Sequence, residues 1–375
     1  MSERPRVLAI DVGTGTQDIL LFESGREIEN CLQLIMPSPT VAVAQRIAAA
    51  TAAGRPVLLT GRTMGGGPCG WAARDHAQAG YPCFATPDAA RTLDDDLSQV
   101  EAQGLRVLAP EEAERMLGAP DPDLVHLEMR DFDGAAIQTA LRAFGVDPAV
   151  EYVAVAAFDH GAAPPGISDR RFRFDAIAAR VRERPDALAF AYRGAEVPAD
   201  LTRLAAVAAD ARAYPTPTGA APVVVVVMDT GAAALAGALE DPVVAAREEC
   251  LVANIGNFHT LAFALRGGHI AALFEHHTGL LDRERLEGYL RALADGTLDN
   301  ERVFAESGHG ALALDARPLA PAGHTFPFLA VTGPRRALLR GSALSPYAAV
   351  PHGDMMLAGC FGLLRAVAEL EPSCG

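Results

Sequence analysis

The sequence predicts an α/β protein built from two domains. Its 375 residues exceed the length at which one hydrophobic core usually stops growing, and half of them are apolar. Short apolar runs with strand character alternate with helical segments, which is typical of the α/β class. A meander of three strands near the start recurs after residue 251, and a one-domain protein would not be expected to contain this internal repeat.

The order of elements follows from the positions of the apolar runs and turns. The first meander is predicted at residues 6–10, 19–22 and 28–34, and a helix at 40–53 follows it. Further strands are expected at 56–60, near 107, and at 151–158, 188–192 and 223–227. The second meander is predicted at 251–255, 261–265 and 269–274, with a helix at 283–294 and a closing helix that opens at Gly353 and Asp354.

A segment rich in Pro, Thr and Gly, residues 213–222, is the expected linker between the domains. We therefore predict an N-terminal domain at 1–215 and a C-terminal domain at 222–375. The N-terminal domain would contain an inserted substrate segment at about 61–212.

Composition excludes several classes of function. The formal net charge is −15 and all 32 basic residues are arginine, so neither a nucleic-acid partner nor Schiff-base or Walker-A lysine chemistry is expected. The N-terminus lacks a signal-peptide pattern, and the longest apolar stretch, 222–228, is too short to cross a bilayer. These features predict a cytoplasmic protein with no membrane partner. Six separated cysteines form no CxxC pair and indicate ordinary buried thiols.

The clearest local motif is DVGTGTQD at residues 11–18, between two predicted strands. Its glycines would let the backbone approach a phosphate, its threonines add hydroxyl donors, and Asp11 at the strand end could hold hydrated Mg²⁺. The alternative is an ordinary hairpin turn. The predicted cofactor-binding residues here are Gly13, Thr14, Gly15, Thr16 and Gln17.

A second motif of this kind is NIGNFHT at residues 254–260, and a helix at 229–238 precedes it. Together these segments resemble the phosphate hairpins of the actin-like ATPase and sugar kinase superfamily. The resemblance implies a two-domain, ribonuclease H-like fold that clamps ATP and Mg²⁺ in a cleft, with Asp229 as catalytic base beside Asp11. Thr230 stands where sugar kinases have glutamine, and Asn254 where the superfamily usually has aspartate. The resemblance further implies cofactor contacts from Gly256, Asn257, His259, Thr260 and Gly333.

A closer resemblance rests on GTGTQD, TGRTMGGGP, GNFHT, EHHTG and GHG. These motifs resemble an uncharacterised family that carries the label pyruvate formate-lyase activating enzyme. Such activation needs a cysteine triplet that binds an iron–sulfur cluster, and this sequence has none. The resemblance is therefore to the family and not to the activity in its label. Gly65–Gly67 in TGRTMGGGP is predicted either to open a helix whose N-terminus faces an anion or to form a plain loop.

Seven of the ten histidines fall between residues 259 and 352. Three uses stay open: metal binding, contact with phosphate or substrate, and ordinary polar or core packing. Because neighbouring strand residues point to opposite faces, at most one of His276 and His277 can face a given site. The predicted substrate residues are Asp159, His160, Glu275, His276, His277 and His309.

Taken together, the motifs predict an ATP-dependent phosphotransferase or an ATP-hydrolysing enzyme that acts on an unknown small molecule. The alternatives are a histidine-rich, metal-dependent hydrolase and a nucleotide- or metabolite-binding protein with little turnover. Bound zinc or iron would favour the hydrolase, and tight nucleotide binding without turnover would favour the binding protein. The oligomeric state is open, with a homodimer as one option.

Overall fold

The computed structural model describes residues 5–119, 121–164, 166–319 and 326–372, so His324 and Cys374 lie outside the described residues. The strands are β1 (Arg6–Val12), β2 (Thr16–Glu23), β3 (Leu32–Pro37), β4 (Val57–Gly61), β5 (Cys83–Ala85), β6 (Arg106–Val107), β7 (Val125–Met129), β8 (Tyr152–Ala157), β9 (Ala191–Arg193), β10 (Val224–Asp229), β11 (Glu249–Ile255), β12 (His259–Arg266), β13 (His269–His277), β14 (Gly310–Ala313), β15 (Leu329–Thr332) and β16 (Tyr347–Ala348).

The helices lie between these strands and on their faces. They are α1 (Pro39–Ala52), α2 (Pro68–Gln78), α3 (Pro87–Ala90), α4 (Leu97–Ala102), α5 (Pro110–Gly118), α6 (Gly134–Ala143), α7 (Asp169–Glu183), α8 (Thr202–Ala211), α9 (Thr230–Ala238), α10 (Pro242–Ala245), α11 (Arg283–Ala294), α12 (Asn300–Ala305) and α13 (Ala358–Leu370). Among the described residues, no helix is both long and apolar enough to span a bilayer.

The first sheet has the strand order β3-β2-β1-β8-β10-β9. The first three strands form an antiparallel meander, whereas β1, β8 and β10 run parallel to one another. The central strands β8 and β10 are apolar on both faces, as expected for parallel strands covered on both sides by other elements. The predicted strands of the first meander are therefore present. The third begins later than expected, since residues 28–30 form a 3-10 turn.

The second sheet has the order β14-β13-β12-β11-β15-β16. Its strands β11, β12 and β13 form an antiparallel meander, and β15 and β16 continue it in parallel from β11. The core order and strand directions of the first sheet are thus repeated in the second. This duplicated arrangement confirms the predicted fold class, an α/β protein of the actin-like ATPase type with two ribonuclease H-like sheets.

Strand β10 belongs to the first sheet and not to the second. Residues 223–227 were predicted to be the first strand after the expected linker, within the C-terminal domain. In the structure, Val224 pairs with Tyr152 and Asp229 with Ala157, so the first sheet extends past the linker to Asp229. The physical reason is the parallel pairing with β8, a nonlocal contact that an apolar run alone does not specify.

A smaller parallel sheet has the order β6-β5-β4-β7. Strand β4 directly precedes the segment predicted as an insertion, at about 61–212, and β5, β6 and β7 lie within it, whereas β8 in the same segment belongs to the first large sheet. Helices α1 and α2 pack on it around a core that includes Ile47, Leu59 and Ala73. Its strand β4 ends at Gly61, directly before the glycine-rich stretch 63–67. The small sheet therefore positions that stretch beside the first hairpin.

Helices α9 and α13 lie between the two large sheets, within the largest apolar core. They approach so closely that a Cβ atom on Gly237 would lie 1.7 Å from the backbone oxygen of Ala358. A Cβ on Gly362 would lie 2.0 Å from the oxygen of Ala233. The small residues of both helices thus allow backbone-to-backbone packing.

The final helix begins later than the sequence predicts. It starts at Ala358, whereas Gly353 belongs to a 3-10 turn. His352 and Gly353 have φ values of 48° and 80°, and this left-handed backbone cannot be part of an α-helix. The predicted opening at Gly353 and Asp354 is therefore wrong by about one helical turn.

Candidate functional site

Two equivalent hairpin turns face one cavity of about 380 Å³. In the turn between β1 and β2, the Gly13 amide donates to the Thr16 carbonyl oxygen at 2.9 Å. In the turn between β11 and β12, the Gly256 amide donates to the His259 carbonyl oxygen, also at 2.9 Å. A Cβ at Gly13 or Gly256 would lie 2.9 or 2.7 Å from the same oxygen, so each turn requires glycine.

Most of the predicted cofactor-binding residues line this cavity. They are Gly13, Thr14, Gly15, Thr16, Gly256, Asn257, His259 and Gly333. Gly15 faces Asn257 so closely that a Cβ on Gly15 would lie 3.3 Å from the Asn257 side-chain nitrogen. The structure therefore brings together three segments of the chain that together span more than 300 positions.

Gln17 and Thr260 do not line the cavity, contrary to the sequence prediction. The Gln17 side chain donates to the Pro37 carbonyl oxygen at 3.1 Å. Thr260 is fully buried, and its hydroxyl is 2.8 Å from that of Thr278. Both residues lie on strands just past a turn, where the alternation of the strand turns their side chains away.

Asp11 lines the cavity at the end of β1, where the sequence placed it. The Thr230 hydroxyl donates to Asp11 Oδ1 at 2.6 Å. Gly359 on α13 packs against the other oxygen, since a Cβ there would lie 2.0 Å from Asp11 Oδ2. Burial raises the pKa of Asp11 to about 6, and the nearby Asp229 charge adds to this effect.

Asp18 is a cavity residue that the sequence analysis quoted in the first motif but did not assign. It is the cross-strand partner of Asp11 and is 8% exposed. Burial raises its pKa to about 7, and the Asp11 charge contributes. Its Oδ1 atom is buried without a hydrogen-bond partner among the described residues. The signal that could have found it is register, because a tight turn places the two aspartates opposite each other.

Asp229 does not line this cavity, although the sequence analysis assigned it as catalytic base. Its Oδ1 accepts a hydrogen bond from the Gly231 amide at 2.9 Å and thereby caps α9. Its Oδ2 accepts from Arg173 Nη1 at 2.8 Å. Both oxygens are therefore engaged in the interior, and this geometry favours the helix-cap role.

Arg173 is the centre of a buried ion-pair group that the sequence did not reveal. Its Nε donates to the carboxylate of Glu275 at 2.9 Å, and its guanidinium stacks 3.8 Å from the centre of the Phe158 ring. Glu275, predicted as a substrate residue, is fully buried, and burial raises its pKa to about 7. Glu275 therefore belongs to the ion-pair group that connects α7 to both large sheets, and it does not line the cavity.

Asp159 and His160 both line the cavity, as their prediction as substrate residues requires. Asp159 is buried, and its two oxygens accept from the Gly161 and Leu204 amides at 2.9 and 2.8 Å. The Asp95 carboxylate lies 3.6 Å from His160 Nε2 and raises the pKa of this histidine. Asp159 therefore fixes local backbone, whereas His160 presents a charge-tunable side chain.

The remaining predicted histidines separate as strand alternation requires. His276 is buried on one face of β13, where its ring lies against Tyr289 and its Nε2 contacts the Glu306 oxygen. His277 lies on the other face, close to His259 and His309.

Positive charge reaches the cavity from two arginines that no motif indicated. Arg203 lines it and forms an ion pair with Asp131 at 2.6 Å. Arg91 lines it from the segment after α3 and pairs with Asp88. Gly65–Gly67 also line the cavity and directly precede α2, so of the two alternatives the structure has the helix start.

The two repeated sheets with a cavity between their hairpins define a protein of the actin-like ATPase fold. The chain belongs to the family described as "Putative pyruvate format-lyase activating enzyme (DUF1786)", whose model matches residues 64–338. The first hairpin lies before the matched segment, whereas the second hairpin lies within it.

The chain also resembles solved structures at low identity. The ethanolamine utilization protein EutJ from Carboxydothermus hydrogenoformans is 11% identical, with 96% of this chain and 89% of that chain covered and a TM-score of 0.33. The Lmo2764 protein from Listeria monocytogenes is 12% identical, with 98% and 99% covered and a TM-score of 0.35. These scores are low, so the fold class rests on the sheet order of this chain. No curated protein matches the sequence.

Proposed function

We propose that this protein binds ATP with Mg²⁺ in the cavity between its two hairpins and uses it for phosphoryl transfer or hydrolysis coupled to a small-molecule substrate. The observation that carries the proposal is the equivalence of the two glycine turns. Each has the same amide-to-carbonyl hydrogen bond, at Gly13 and at Gly256, and both open onto one cavity.

The shape of the turns supports binding of phosphate groups. A glycine at each turn leaves the backbone accessible, and backbone amides are suitable donors to phosphate oxygens. Thr14 and Thr16 add hydroxyl groups on the same wall. The cavity volume of about 380 Å³ lies within the range of small-molecule sites.

The carboxylates on the cavity wall support a hard divalent cation. Mg²⁺ is bound by oxygen ligands, commonly one or two carboxylates together with phosphate oxygens and waters. Asp11 and Asp18 supply two carboxylates, and the unpaired Oδ1 of Asp18 is an oxygen that gains a partner when a cation is present. Bound Mg²⁺ would neutralise phosphate charge, and the two aspartates would hold it or its waters in place.

Arg91 would supply further positive charge, since Arg203 already forms two hydrogen bonds to Asp131 and one to the Phe158 carbonyl oxygen. The chain contains no lysine, so the point charge that many nucleotide-binding loops use is absent from this site. A guanidinium can form two parallel hydrogen bonds to a phosphate, and it stays charged at any physiological pH. His160, whose pKa is raised by Asp95, would add positive charge as the pH falls.

The family description names an activating enzyme of pyruvate formate-lyase, and the cysteines do not support that activity for this chain. An iron–sulfur cluster of this kind needs several cysteine thiolates close together. The five described cysteines are buried as free thiols, and within the described ranges no three of them form a metal-binding group. Burial raises the pKa of Cys69 and Cys83 to about 11 and 12, which disfavours the thiolate form.

A second candidate function is nucleotide binding with little turnover. The observation that favours it is the position of Asp229, which is bonded to Arg173 and to the Gly231 amide. With this carboxylate engaged, no general base is assigned on the cavity wall. Turnover of ATP in the presence of metabolite panels separates the two candidate functions. Nucleotide that binds but is not consumed under any condition favours nucleotide binding with little turnover.

The first experiment is calorimetric titration of the protein with ATP and Mg²⁺. Binding is expected, and Gly15→Val should weaken it strongly because the added side chain meets Asn257 across the cavity. Gly288→Ala is the matched control, since a Cβ there, on the exposed side of α11, meets no atom within 4 Å. Absence of both heat and thermal shift at millimolar nucleotide would contradict the proposal.

A further inference from the structure

Three neighbouring strands bring one histidine each to the same edge of the second sheet. His259 begins β12 and is the cross-strand partner of His277, which ends β13. His309 directly precedes β14, and its amide donates to the Glu275 carbonyl oxygen at 2.9 Å. One ring nitrogen from each histidine lies within 4.8 Å of the corresponding nitrogens of the other two. The ring centres are 4.6 to 5.1 Å apart.

The three rings lack the hydrogen bonds that a structural histidine makes. Among the described residues, none of them is hydrogen-bonded through its side chain, and His309 Nδ1 is buried without a partner although His309 is only 4% exposed. An unpaired buried polar atom costs about 1–3 kcal/mol. By contrast, the buried His276 and His76 both contact carbonyl oxygens. The unsatisfied nitrogen therefore calls for a ligand.

Burial keeps the imidazoles in the form that binds metals. It lowers the pKa of His259, His277 and His309, and the neighbouring histidines and arginines lower these pKa values further. A neutral imidazole offers one nitrogen lone pair to a metal.

We propose that His259, His277 and His309 bind a divalent transition-metal ion of the zinc class. Imidazole nitrogen suits zinc, iron, copper and nickel, whereas Mg²⁺ prefers oxygen, so this site is chemically separate from the Asp11 and Asp18 carboxylates. Three protein ligands leave a fourth position open, as in catalytic zinc sites. Because His259 also lines the nucleotide cavity, the ion would lie at the cavity wall.

Of the three histidines, His259 is packed against an aromatic ring, whereas His277 is only half-buried. His259 stacks on Phe158 with ring centres 4.0 Å apart and planes 4° from parallel, and Arg173 covers the opposite face of Phe158. In a tetrahedral site with metal–nitrogen bonds of about 2.1 Å, the nitrogens lie about 3.4 Å apart. The three ring nitrogens, within 4.8 Å of one another, must therefore move closer together when a metal binds.

Two arginines lie near the histidine group. The buried Arg173 forms ion pairs with two carboxylates, Asp229 and Glu275. Arg170 lies near His277 and His309, and its Nη1 atom donates to the carbonyl oxygens of Phe304 and Gly308.

The test begins with the wild-type protein. After expression in medium with added zinc and exhaustive dialysis, we expect close to one equivalent of transition metal by elemental analysis. Metal-free protein titrated with Co²⁺ should develop the visible absorption of cobalt in a low-coordinate nitrogen site. This measurement needs no variant, so it does not depend on whether a substituted chain folds.

Variants then assign the ligands. His277→Ala and His309→Gln should each weaken Co²⁺ binding by more than about 100-fold. Loss of a residue that only hydrogen-bonds to a metal ligand costs about 10- to 100-fold. His269→Ala is the matched control, because His269 lies at the exposed start of the same strand as His277. It should bind as wild type does. Circular dichroism and the thermal unfolding midpoint establish that each variant is folded.

Three outcomes would overturn the assignment. Wild-type protein without metal and without a cobalt spectrum at micromolar Co²⁺ would exclude the site. Equal binding by His277→Ala and His269→Ala would place the metal elsewhere. If His277→Ala bound no less Co²⁺ but lost affinity for ATP in calorimetry, the histidines would be phosphate contacts instead. Metal binding that persists when ATP binding is absent would leave this inference intact and contradict only the proposed function.

Discussion

Asp11 and Asp18 lie directly opposite each other across the first hairpin, and both face the cavity between the two large sheets. Like charges at paired positions of an antiparallel ladder destabilise it. Burial raises the pKa of Asp11 to about 6 and that of Asp18 to about 7, because two negative charges are unfavourable at these buried, adjacent positions. A bound cation would neutralise this charge at neutral pH, and protonation of the carboxylates neutralises it at lower pH.

The first prediction concerns pH. The ordinary pKa of aspartate is 3.8, so between about pH 4 and 7 the folded protein holds more protons at these two positions than the unfolded chain. Their contribution therefore lowers the free energy of unfolding as the pH rises through this window. Asp18→Asn should remove part of this fall and raise the free energy of unfolding at pH 8 by about 1–3 kcal/mol.

Urea denaturation from pH 4 to 8 in metal-free buffer measures this effect. Asp75→Asn on the exposed side of α2 is the matched control and should leave the profile unchanged. Added Mg²⁺ should stabilise the wild-type protein more at pH 8 than at pH 5. A flat difference between Asp18→Asn and wild type across the range would show that the pair does not titrate as described.

The second prediction concerns Asp11. Asp11→Asn should abolish most of the stabilisation that ATP with Mg²⁺ provides, because the carboxylate would hold the cation or its waters. A ligand at 100 times its dissociation constant stabilises a protein by about 2.7 kcal/mol, which a thermal-shift assay resolves. The unliganded variant should remain folded, since asparagine keeps an oxygen for the Thr230 hydroxyl. An unfolded variant, or one with unchanged ligand affinity, would make Asp11 a structural residue.

The third prediction concerns Gly359, whose missing side chain leaves space for Asp11. In Gly359→Ala the new Cβ would lie 2.0 Å from Asp11 Oδ2, so helix α13 or the carboxylate must move. We expect a loss of about 1–3 kcal/mol in the free energy of unfolding, typical of overpacking, together with weaker ATP and Mg²⁺ binding. Gly288→Ala on α11 should lower neither the free energy of unfolding nor the affinity for ATP and Mg²⁺. Normal ligand binding by Gly359→Ala would argue against a role for the exact position of Asp11.

The fourth prediction concerns Asp229 and its buried partner. Asp229→Asn keeps an oxygen for the cap of α9 but removes the charge that pairs with Arg173, and loss of one partner of a buried pair costs about 3–5 kcal/mol. ATP affinity should stay near wild type. Asp210→Asn, which breaks a more exposed pair with Arg62, should cost about 0–1 kcal/mol. A fully stable Asp229→Asn protein that had lost turnover would restore the catalytic-base assignment.

Local pattern was enough to predict the strands and turns of both meanders and the helix at 283–294. Those elements depend on short-range signals: an apolar run, a glycine turn and a helical period. Pairing between distant strands was harder to predict, because it depends on contacts across more than 70 positions. The place of β10 beside β8 is an example, since its run of valines fits the centre of either sheet equally well.

The direction in which each side chain points limited how well the site residues could be predicted from the sequence. Thr14 and Gly256, both predicted to contact the cofactor, line one cavity, because a turn presents nearly all its backbone on one side. Gln17 and Thr260 lie one residue into their strands and point away, and only the exact register decides this. Arg173 belongs to no motif, and its role appears only when α7 is packed against β10 and β13.

The contact between α13 and β1 sets a lower limit on the time in which a newly made chain can complete its core. The Cys360 thiol lies against the Ala9 carbonyl oxygen, a partner 351 positions earlier in the chain. At about 5–20 residues per second, a ribosome needs roughly 20–70 s to pass from one residue to the other. During that interval the part of β1 that α13 later covers lacks this neighbour.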